Sequence, residues 1–514
     1  VCEGCGDCSV ESNCLSVIPK ETPFGRKRTI DQNSCNKDYS CVNGFCPSFV
    51  TVEGGELRRR QGLRLDDEYQ RLTAPLPEPT VAPLDASYDL LVTGVGGTGV
   101  VTVGQLITMA AHLEGKGASV LDFMGFAQKF GPVLSYIRIA DEPQAINQVR
   151  IEPAQADALI GCDLVVSSAP KAAATYAPGR TRALVNTAEM SSGDFVRNRD
   201  ANLRASERLI AISDVVGAHN FETLDANAIA EKIMGNTIYA NVLMLGCAWQ
   251  MGLVPVSLNG LMRAIELNGV EIDKNQQAFG WGRIAAVNME CVQGLIDGET
   301  STADEETLDD VIRRRAAFLV DYQNQALAAR YVELVERVRQ AELDAGGDGA
   351  LANAAARSYF KLLSYKDEYE VARLHTQTGF LDKVREDFGN KARIRFHLAP
   401  PLLSRHKDAR GRQRKKEFGA WTIPLFHVLA GMRRLRGTQF DPFGLTAERR
   451  MERQLIGEFE DVIEQLLTIL SSGNLDFAIE VVRLYMDIRG YGPVKEQAVR
   501  EVREKMAAHA IMPA

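Results

Sequence analysis

The sequence predicts an α/β protein in three parts: a cysteine-rich segment, then a mostly parallel α/β sheet domain, then a mainly helical carboxy-terminal domain. Three observations predict it. Seven of the ten cysteines lie within residues 1–50. From Tyr88, short apolar runs alternate with helical patterns, as in sheets with helices on both faces. Beyond residue 304, apolar residues recur three and four apart, which indicates amphipathic helices.

Composition narrows the function classes. With 514 residues the chain is too long for one ordinary domain. Its net charge of −8 argues against a dedicated nucleic-acid binder. No run of about 18 apolar residues occurs, so no membrane association is expected. Few cysteines occur after residue 50, as is ordinary in a reducing cytosol, and a cytoplasmic location is predicted. Because the chain opens at Val1 on a cysteine motif, we expect the carboxy-terminal part of a longer chain or a split-gene product.

The first cysteines have the spacing of an iron–sulfur site. Cys2, Cys5 and Cys8 are spaced C-x2-C-x2-C, and Cys46 precedes a proline. In two-cluster ferredoxins such a triplet binds one cube and a remote Cys-Pro supplies the fourth ligand. A zinc site is the alternative, although zinc favours paired C-x2-C knuckles. A disulfide scaffold is disfavoured by the scarcity of cysteine elsewhere. The segment is therefore predicted to bind a 4Fe-4S cluster.

The remaining cysteines of this segment are Cys14, Cys35 and Cys41, one ligand short of a second cube. One cluster is predicted, and a second with a non-cysteine ligand is left open. The polar residues 20–34 separate the two cysteine groups. They include Arg26, Lys27 and Arg28, which would suit an acidic electron carrier or offset cluster charge; a solvated loop is the favoured interpretation.

A proline-rich stretch separates the cysteines from the next domain. Residues 73–86 contain four prolines and no periodicity, as in an extended linker. The predicted domains are the cysteine-rich segment at 1–60, the linker at 61–86, the α/β domain at 87–300 and the helical domain at 301–514.

The α/β domain opens with a glycine-rich turn between an apolar strand at 89–93 and a helix that extends to about Glu114. Gly94, Gly96 and Gly99 satisfy G-x-G-x-x-G in the required strand–turn–helix context. Such glycines let a phosphate approach the helix amides, or they only permit tight strand–helix packing. Asp122 ends the next strand and would be the ribose-binding acid of an NAD site.

Further elements follow the same alternation. Strands are predicted at 133–140, 163–168, 182–187 and 209–213. Helices are predicted at 226–235 and 238–252, with two more within 258–297. In the last region we expect one long helix at 304–344, then helices at 350–375, 422–436, 446–471, 475–488 and 493–508. KARIRFHLAP (391–400) is predicted to be an isolated strand.

Three features of the last region have ordinary explanations. The GDG at 347–349 resembles the start of a thiamine diphosphate motif, but it lacks a preceding strand and a later asparagine, so a helix–helix turn is predicted. The basic run at 405–421 would suit the binding of phosphates or of an acidic electron carrier, but a solvated loop is the favoured interpretation. The histidines have no metal-ligand spacing and are predicted to be ordinary: His375, His397 and His406.

Taken together, these segments resemble the carboxy-terminal half of the fused indolepyruvate ferredoxin oxidoreductases, within the 2-oxoacid:ferredoxin oxidoreductase family. The resemblance rests on CEGCGDCSVESNC, FGRKRTIDQNSCNKDYSCVNGFCPSF, GVGGTGVVTVGQLI, GFAQKFGPVLSYIRIA, ELNGVEIDKNQQAFGWGR and GTQFDPFGLTAERRMERQLIG. It implies a ferredoxin-like iron–sulfur segment, a gamma-type α/β domain and a helical tail without an assigned activity. Phe130 departs from the family, which usually has glycine there.

The resemblance also implies a reaction. An arylpyruvate, coenzyme A and two oxidised ferredoxins would give an arylacetyl-CoA, carbon dioxide and two reduced ferredoxins. Thiamine diphosphate and Mg would be bound by domains upstream or in a partner chain, so no catalytic residue is predicted here. The iron–sulfur ligands would be drawn from Cys2, Cys5, Cys8, Cys14, Cys35, Cys41 and Cys46. The coenzyme A pocket would include Gly94, Gly96, Gly97, Thr98, Gly99, Gln128 and Lys129, and Asp122 would be structural.

Two other functions compete with this one. The first is an NAD-linked iron–sulfur oxidoreductase that uses the motif at 88–122. The second is a zinc-bound scaffold without redox chemistry. The long helices make a homo-oligomer, such as a symmetric dimer, the expected assembly.

Overall fold

The chain folds into two compact units in the computed structural model. Unit 1 comprises residues 1–58, 191–200 and 303–514, and unit 2 comprises residues 59–190 and 201–302. The structure describes residues 1–32, 34–58, 62–63, 65–124, 131–190, 193–297, 306–400, 412 and 414–508. Within those ranges, no helix combines the length and apolar character needed to cross a membrane.

The amino-terminal part of unit 1 consists of short elements. They are α1 (Asp7–Ser12), β1 (Val17–Lys20), β2 (Lys27–Ile30), a 3-10 turn (Ser40–Asn43) and β3 (Val50–Glu53). Strands β1 and β2 form an antiparallel hairpin in which Val17 is opposite Ile30. The prediction of a solvated loop over 20–34 is therefore wrong for β2, whose four residues are half-buried.

Unit 2 is an α/β domain. Its elements are α2 (Asp66–Thr73), β4 (Tyr88–Val95), α3 (Val100–Leu113), β5 (Gly117–Met124), β6 (Pro132–Ala140), β7 (Ala158–Gly161), α4 (Leu164–Ser167), α5 (Pro170–Ala173), β8 (Arg182–Asn186), α7 (Ala205–Val216), β9 (Phe221–Leu224), α8 (Ala226–Met234), α9 (Ala240–Gln250), α10 (Leu258–Asn268), α11 (Ile272–Val287) and α12 (Met289–Asp297). The intervening α6 (Gly193–Arg197) belongs to unit 1.

The six strands of unit 2 form one sheet in the order β5-β6-β4-β7-β8-β9. The pairs β4–β7, β7–β8 and β8–β9 are parallel, and β6 is antiparallel to both of its neighbours. Strand β4 is buried along its whole length. Leu90 belongs to the core on one side of the sheet and Leu91 to the core on the other. Burial on both faces explains its uninterrupted apolar sequence.

Two predicted strands of unit 2 are helical. Residues 163–168 include α4, whose first turn is capped by the Asp163 carboxylate, which accepts the N–H of Val166 at 2.8 Å. Residues 209–213 lie inside α7. Short apolar runs do not distinguish a buried strand from a buried helix. The strands at these places in the sheet are β7 and β9, of four residues each.

Helices α9 and α11 pack unusually close together, and glycine makes this approach feasible. A Cβ atom on Gly246 would lie 2.0 Å from the Phe279 carbonyl oxygen, and one on Gly282 would lie 2.0 Å from the Leu243 carbonyl oxygen. All eleven residues of α9 are buried. The region predicted as two helices over 258–297 contains three: α10, α11 and α12.

The carboxy-terminal part of unit 1 is mainly helical, as predicted. It contains α13 (Leu308–Tyr322), α14 (Gln325–Asp344), α15 (Ala350–Leu363), α16 (Glu368–Thr376), α17 (Phe380–Phe388), β10 (Arg393–Leu398), β11 (Lys416–Phe418), α18 (Ile423–Gly431), α19 (Ala447–Ile469), α20 (Leu475–Leu484) and α21 (Gly492–Ala508). The helix predicted over 304–344 is broken before α14, where the side chain of Asn324 caps the new helix. The helix predicted over 350–375 is broken before α16, where Asp367 is the cap.

The strand predicted to be isolated is the centre of a small sheet. Strand β10 pairs antiparallel with β11 on one side and with β3 on the other. Because β3 follows the cysteines and β10 lies in the helical region, this sheet joins both ends of unit 1. An apolar cluster beneath it includes Phe396 and Phe426.

The GDG triplet is a helix–helix turn, as predicted. It lies between α14 and α15. The buried Glu342 carboxylate accepts the N–H groups of Gly349, Leu351 and Ala352 at 3.1, 2.9 and 2.8 Å. The amides at the start of α15 are thus already bonded to a carboxylate.

Candidate metal centre and glycine-rich loop

The seven cysteines of the amino-terminal segment are all free thiols, so no disulfide joins them. Cys8 is buried in α1, and the other six are half-buried. The loop before Cys46 packs directly on α1, because a Cβ atom on Gly44 would lie 2.7 Å from Cys8 Cα. The segment is thus folded around its cysteines, without the cystines of a disulfide scaffold.

The first group of thiols contains Cys2, Cys5, Cys8 and Cys46. Burial, and after it the thiolate charges of Cys46, Cys5 and Cys2, raises the pKa of Cys8 well above its usual value. Burial raises the pKa of Cys5 to about 12, although the backbone N–H of Asp7 opposes this, and the charges of Cys46 and Cys2 add to the rise. Phe45 N–H donates to the Asp7 carboxylate at 2.6 Å, so the backbone just before Cys46 lies beside the C-x2-C-x2-C triplet.

The second group contains Cys14, Cys35 and Cys41. Burial raises the pKa of Cys41 to about 11, followed by the charges of Cys14 and Cys35 and, more weakly, of Asp38. None of the first-group thiols is among these principal causes. The cysteine charges that act on Cys41 are thus those of Cys14 and Cys35, the two cysteines that the ferredoxin analogy leaves with it.

Backbone N–H groups point at these sulfurs. Gly4 N–H donates to Cys2 Sγ at 3.3 Å, and Arg28 N–H donates to the same sulfur at 3.4 Å. Lys37 N–H donates to Cys35 Sγ at 3.3 Å. Such bonds stabilise a thiolate and are among the interactions that set the potential of an iron–sulfur cluster.

The first cysteine group has the types of donor that a 4Fe-4S cluster uses, namely four thiols, with backbone N–H donors to Cys2 and Cys5. Within the described residues, no three His, Cys, Asp or Glu side chains converge enough to bind a single metal ion.

The basic residues Arg26, Lys27 and Arg28 are half-buried and do not form an exposed patch. Burial lowers the pKa of Lys27. Arg28 donates to the Arg199 carbonyl oxygen at 2.8 Å and lies over the Phe195 ring. Arg26 pairs with Glu21 at 2.5 Å. These contacts hold the hairpin within unit 1. Of the predicted basic run at 405–421, residues 405–411 and 413 lie outside the described residues, and Lys415 donates to the Val42 carbonyl oxygen at 2.9 Å.

The glycine-rich loop of unit 2 joins the end of β4 to α3, as predicted. Gly97 and Gly99 have φ of +88° and +93°, in the left-handed region that favours glycine. A Cβ atom on Gly97 would meet nothing within 4 Å, so the loop is open there. A Cβ atom on Gly94, in contrast, would lie only 2.4 Å from Val100 Cγ2. The motif therefore combines a packing glycine with an open turn.

Asn241 fixes this loop, and sequence reasoning did not find it. It lies on α9, and its Nδ2 donates to the Thr98 carbonyl oxygen at 2.7 Å and to Thr98 Oγ1 at 3.2 Å. Thr98 Oγ1 also donates to the Val95 carbonyl oxygen at 2.7 Å. Gly96 N–H donates to the Gly131 carbonyl oxygen at 2.8 Å. The loop is thus held from three directions.

The loop lies at a topological switch point of the sheet. The chain leaves β4 towards β5 on one side and leaves β7 towards β8 on the other, and a crevice forms where such connections diverge. Cys162, just after β7, donates its N–H to the Thr93 carbonyl oxygen at 2.8 Å. Burial raises the pKa of the Cys162 thiol to about 12, which disfavours a nucleophilic role.

Asp122 is not placed as in an NAD site. It lies on the edge strand β5, and its carboxylate accepts the hydroxyl of Ser135 on β6. Strand β6 separates β5 from β4, so Asp122 is on a strand about 10 Å from the one that carries the glycines. In an NAD-binding fold the acid ends the strand next to the first one. Gln128 and Lys129 lie outside the described residues.

Comparison with known proteins identifies unit 2. Residues 89–285 match the family model described as pyruvate ferredoxin/flavodoxin oxidoreductase. Over these residues unit 2 is similar to a pyruvate ferredoxin/flavodoxin oxidoreductase domain. The predicted resemblance to 2-oxoacid:ferredoxin oxidoreductases is thus confirmed, and so is the predicted order of an α/β domain followed by a mainly helical region; the ferredoxin-like character of the cysteine-rich segment stays a prediction. Residues 308–508 match a second model, described as a family of unknown function (DUF6537).

The chain matches its curated relatives along almost their whole length. Indolepyruvate oxidoreductase subunit IorB of Pyrococcus horikoshii is 26% identical over 209 residues, which are 39% of this chain and 97% of the relative. The same subunit of Thermococcus kodakarensis is 24% identical, with the same coverage. Among solved structures, pyruvate oxidoreductase subunit PORC of Thermotoga maritima is 20% identical, with 39% of this chain and 96% of that chain covered and a TM-score of 0.29.

Proposed function

We propose that this chain is the electron-transfer and gamma-type part of a thiamine diphosphate-dependent oxidoreductase that acts on indolepyruvate or another arylpyruvate. The single observation that carries the proposal is that one chain combines a pyruvate ferredoxin/flavodoxin oxidoreductase domain with grouped, unpaired thiols. The overall reaction would convert the 2-oxoacid, coenzyme A and two oxidised ferredoxins into the acyl-CoA, carbon dioxide, a proton and two reduced ferredoxins.

In this proposal the amino-terminal segment is the electron exit. Cys2, Cys5, Cys8 and Cys46 would hold a 4Fe-4S cluster, which supplies single-electron transfer when bound. The protein's part is to stabilise the thiolates. The N–H groups of Gly4 and Arg28 do this at Cys2, and the Lys415 ammonium lowers the pKa of Cys46 against the larger effect of burial. Donors and positive charges near sulfur favour the reduced cluster.

The glycine-rich loop is the proposed contact for coenzyme A phosphates. Gly97, Thr98 and Gly99 lie at the start of α3, whose first-turn amides attract anions, and no acidic side chain lies in that turn. Asn241 would hold the loop in its binding conformation. Gln128 and Lys129 remain part of the proposed site through the family resemblance. The separation of Asp122 from the loop weighs against NAD at this position.

The remaining chemistry would belong to other domains or chains. Thiamine diphosphate and Mg would be bound upstream or in a partner subunit, and ferredoxin would accept the electrons. We propose a reducing cytoplasm as the setting, because free thiols persist there. The helical region of unit 1, which holds the cysteine segment through β10, would support the electron exit and subunit contacts.

Metal analysis of the anaerobically purified chain tests this function. We expect iron and acid-labile sulfide in equal amounts, at least about four of each per chain, and absorbance that bleaches with dithionite. Zinc without iron or sulfide would contradict the electron-transfer role. NADH is the second arm of the test. Bleaching by NADH without a partner chain would favour the NAD-linked alternative.

A further inference from the structure

The second cysteine group repeats the spacing of the first with one replacement. Residues 2–8 read C-x2-C-x2-C, and residues 35–41 read C-x2-D-x2-C. Asp38 stands at the central position, where the first motif has Cys5. After each motif comes a further cysteine, Cys14 after the first and Cys46 after the second.

The two motifs also share backbone features. In the first, the third and fifth residues are Gly4 and Gly6, with φ of +68° and +78°. In the second, the same positions are Lys37 and Tyr39, with φ of +59° and +58°. A helical turn starts at the sixth residue of each motif, as α1 in the first and as the 3-10 turn at Ser40–Asn43 in the second.

The hydrogen bonds to the ligand positions repeat as well. The third residue donates its N–H to the first cysteine, Gly4 to Cys2 and Lys37 to Cys35, at 3.3 Å in both. The backbone N–H of the sixth residue donates to the side chain of the fourth residue in each motif. In the first motif this is Asp7 to the Cys5 sulfur.

In the second motif the equivalent bond runs from Ser40 N–H to Asp38 Oδ1, at 3.1 Å. The carboxylate thus occupies the place of a thiolate in the same pattern of donors. A bond to Oδ1 leaves Oδ2 for iron.

Lys37 and Tyr39 hold this loop against their own conformational preference. Residues other than glycine rarely adopt φ near +58°, and each such position costs about 1–2 kcal/mol. Two of them flank Asp38. An ordinary Asx turn at a helix start needs no residue with positive φ on either side of the Asp. Its capping residue has extended backbone, and only the side chain accepts an N–H of the first turn. Backbone strain of this kind is retained where a specific geometry is required.

We propose that Asp38 is the fourth ligand of a second iron–sulfur cluster, together with Cys14, Cys35 and Cys41. This rests on the proposed function, because it deepens the electron exit from one cluster to two. The cysteine that follows each motif would bind the cluster of the other motif, as in two-cluster ferredoxins. Cys46 would be the fourth ligand of the first cluster, and Cys14 would be a ligand of the second.

The assignment predicts an unequal pair of clusters. An iron held by a carboxylate lacks its thiolate and leaves more readily than the other irons. One-electron oxidation would then convert the second 4Fe-4S cluster into a 3Fe-4S cluster with release of one Fe²⁺, the electron being taken by the oxidant. The first cluster, with four thiolates, would resist.

The test compares the full chain with Asp38→Cys and Asp38→Ala after anaerobic purification. We expect about eight irons per wild-type chain, and ferricyanide should produce the electron paramagnetic resonance signal of a three-iron cluster. Asp38→Cys should keep about eight irons and resist the same treatment. Asp38→Ala should contain the three-iron cluster as isolated, or lack the second cluster. Asp382→Ala, at an exposed carboxylate on α17, is the matched control and should keep both clusters.

Three results would overturn the proposal in distinguishable ways. About four irons in the wild type, unchanged in Asp38→Ala and Cys14→Ser, would remove the second cluster while leaving the proposed function intact. About eight irons with identical ferricyanide sensitivity in Asp38→Cys would remove Asp38 as the ligand. An absence of iron and sulfide from every variant would remove the proposed function itself.

Discussion

Lys366 forms an ion pair with Glu3, and both side chains are largely buried, with 16% and 8% of their surface exposed. Glu3 lies between the cysteines of the first motif, and Lys366 lies between α15 and α16. Burial raises the pKa of Glu3, but the ammonium charges of Lys366 and Lys27 outweigh it, so the pKa lies below its usual value. The pair ties the cysteine motif to the helical part of unit 1.

Removing one member of this pair should destabilise unit 1. Lys366→Met leaves a buried carboxylate without its partner, and we expect a loss of about 3–5 kcal/mol. The measurement is the free energy of unfolding of unit 1 in calorimetry at neutral pH. The double variant Glu3→Gln/Lys366→Met should lose less than the single one, because no buried charge is left unpaired. Lys383→Met, on the exposed face of α17, is the control. Equal losses in the single and control variants would contradict this account.

Serine substitutions should separate the two thiol groups. Cys5→Ser should remove the iron of about one cluster, since a cube needs all four ligands. Cys14→Ser should leave the first cluster in place, because Cys14 groups with Cys35 and Cys41. Iron and sulfide content is the measurement, and Cys291→Ser, in unit 2, is the control. Unchanged iron content in Cys5→Ser would refute the ligand assignment.

Asn241→Ala should loosen the glycine-rich loop. It removes the bonds at 2.7 and 3.2 Å to Thr98, and we expect unit 2 to lose about 1–3 kcal/mol. If the loop binds coenzyme A, its dissociation constant should rise by more than that of Asn268→Ala, an exposed control at the end of α10. Calorimetry and isothermal titration with coenzyme A check the two parts separately. An unchanged unfolding temperature would show that Asn241 does not fix the loop.

The elements predicted correctly from sequence are those with distinctive local patterns. Strand β6 was predicted as 133–140 and is Pro132–Ala140, because seven of its nine residues are apolar, and a run of this length is distinctive. The error at 209–213 arose because a run of five residues, four of them apolar, fits about one and a half turns of α7 as well as a strand. Strand β7 has four residues, too few for a period to appear.

Site residues that lie close together in the sequence were predictable, and those that are far apart in the sequence were not. The spacing of Cys2, Cys5 and Cys8 and the glycines after β4 are visible in a few consecutive residues. Asn241 is 143 residues from Thr98, and no local pattern links them. The ligand role proposed for Asp38 depends on the φ angles of its neighbours, which the sequence C-x5-C conceals. Tertiary contacts, unlike motifs, need the fold.

His375 provides a separate, pH-dependent contact between the two ends of unit 1. It is buried, and its ring packs against Phe380, Phe396 and Phe426, at centroid distances of 5.3, 5.2 and 6.0 Å. Its Nε2 lies 3.3 Å from the Pro47 carbonyl oxygen and serves as the donor to it. Burial is the main cause that lowers its pKa to about 4.

This contact should make unit 1 acid-labile in a defined range. The folded pKa of His375, about 4, lies below the unfolded value of about 6.5, so the unfolded chain binds the proton first. Stability is therefore lost as the pH falls from about 6.5 towards 4, by about 3 kcal/mol in total. His375→Gln keeps a donor for Pro47 but does not titrate, and its unfolding temperature should fall less over this range. His112→Gln, exposed on α3, should follow the wild type. Parallel pH profiles for His375→Gln and wild type would exclude this histidine as the cause.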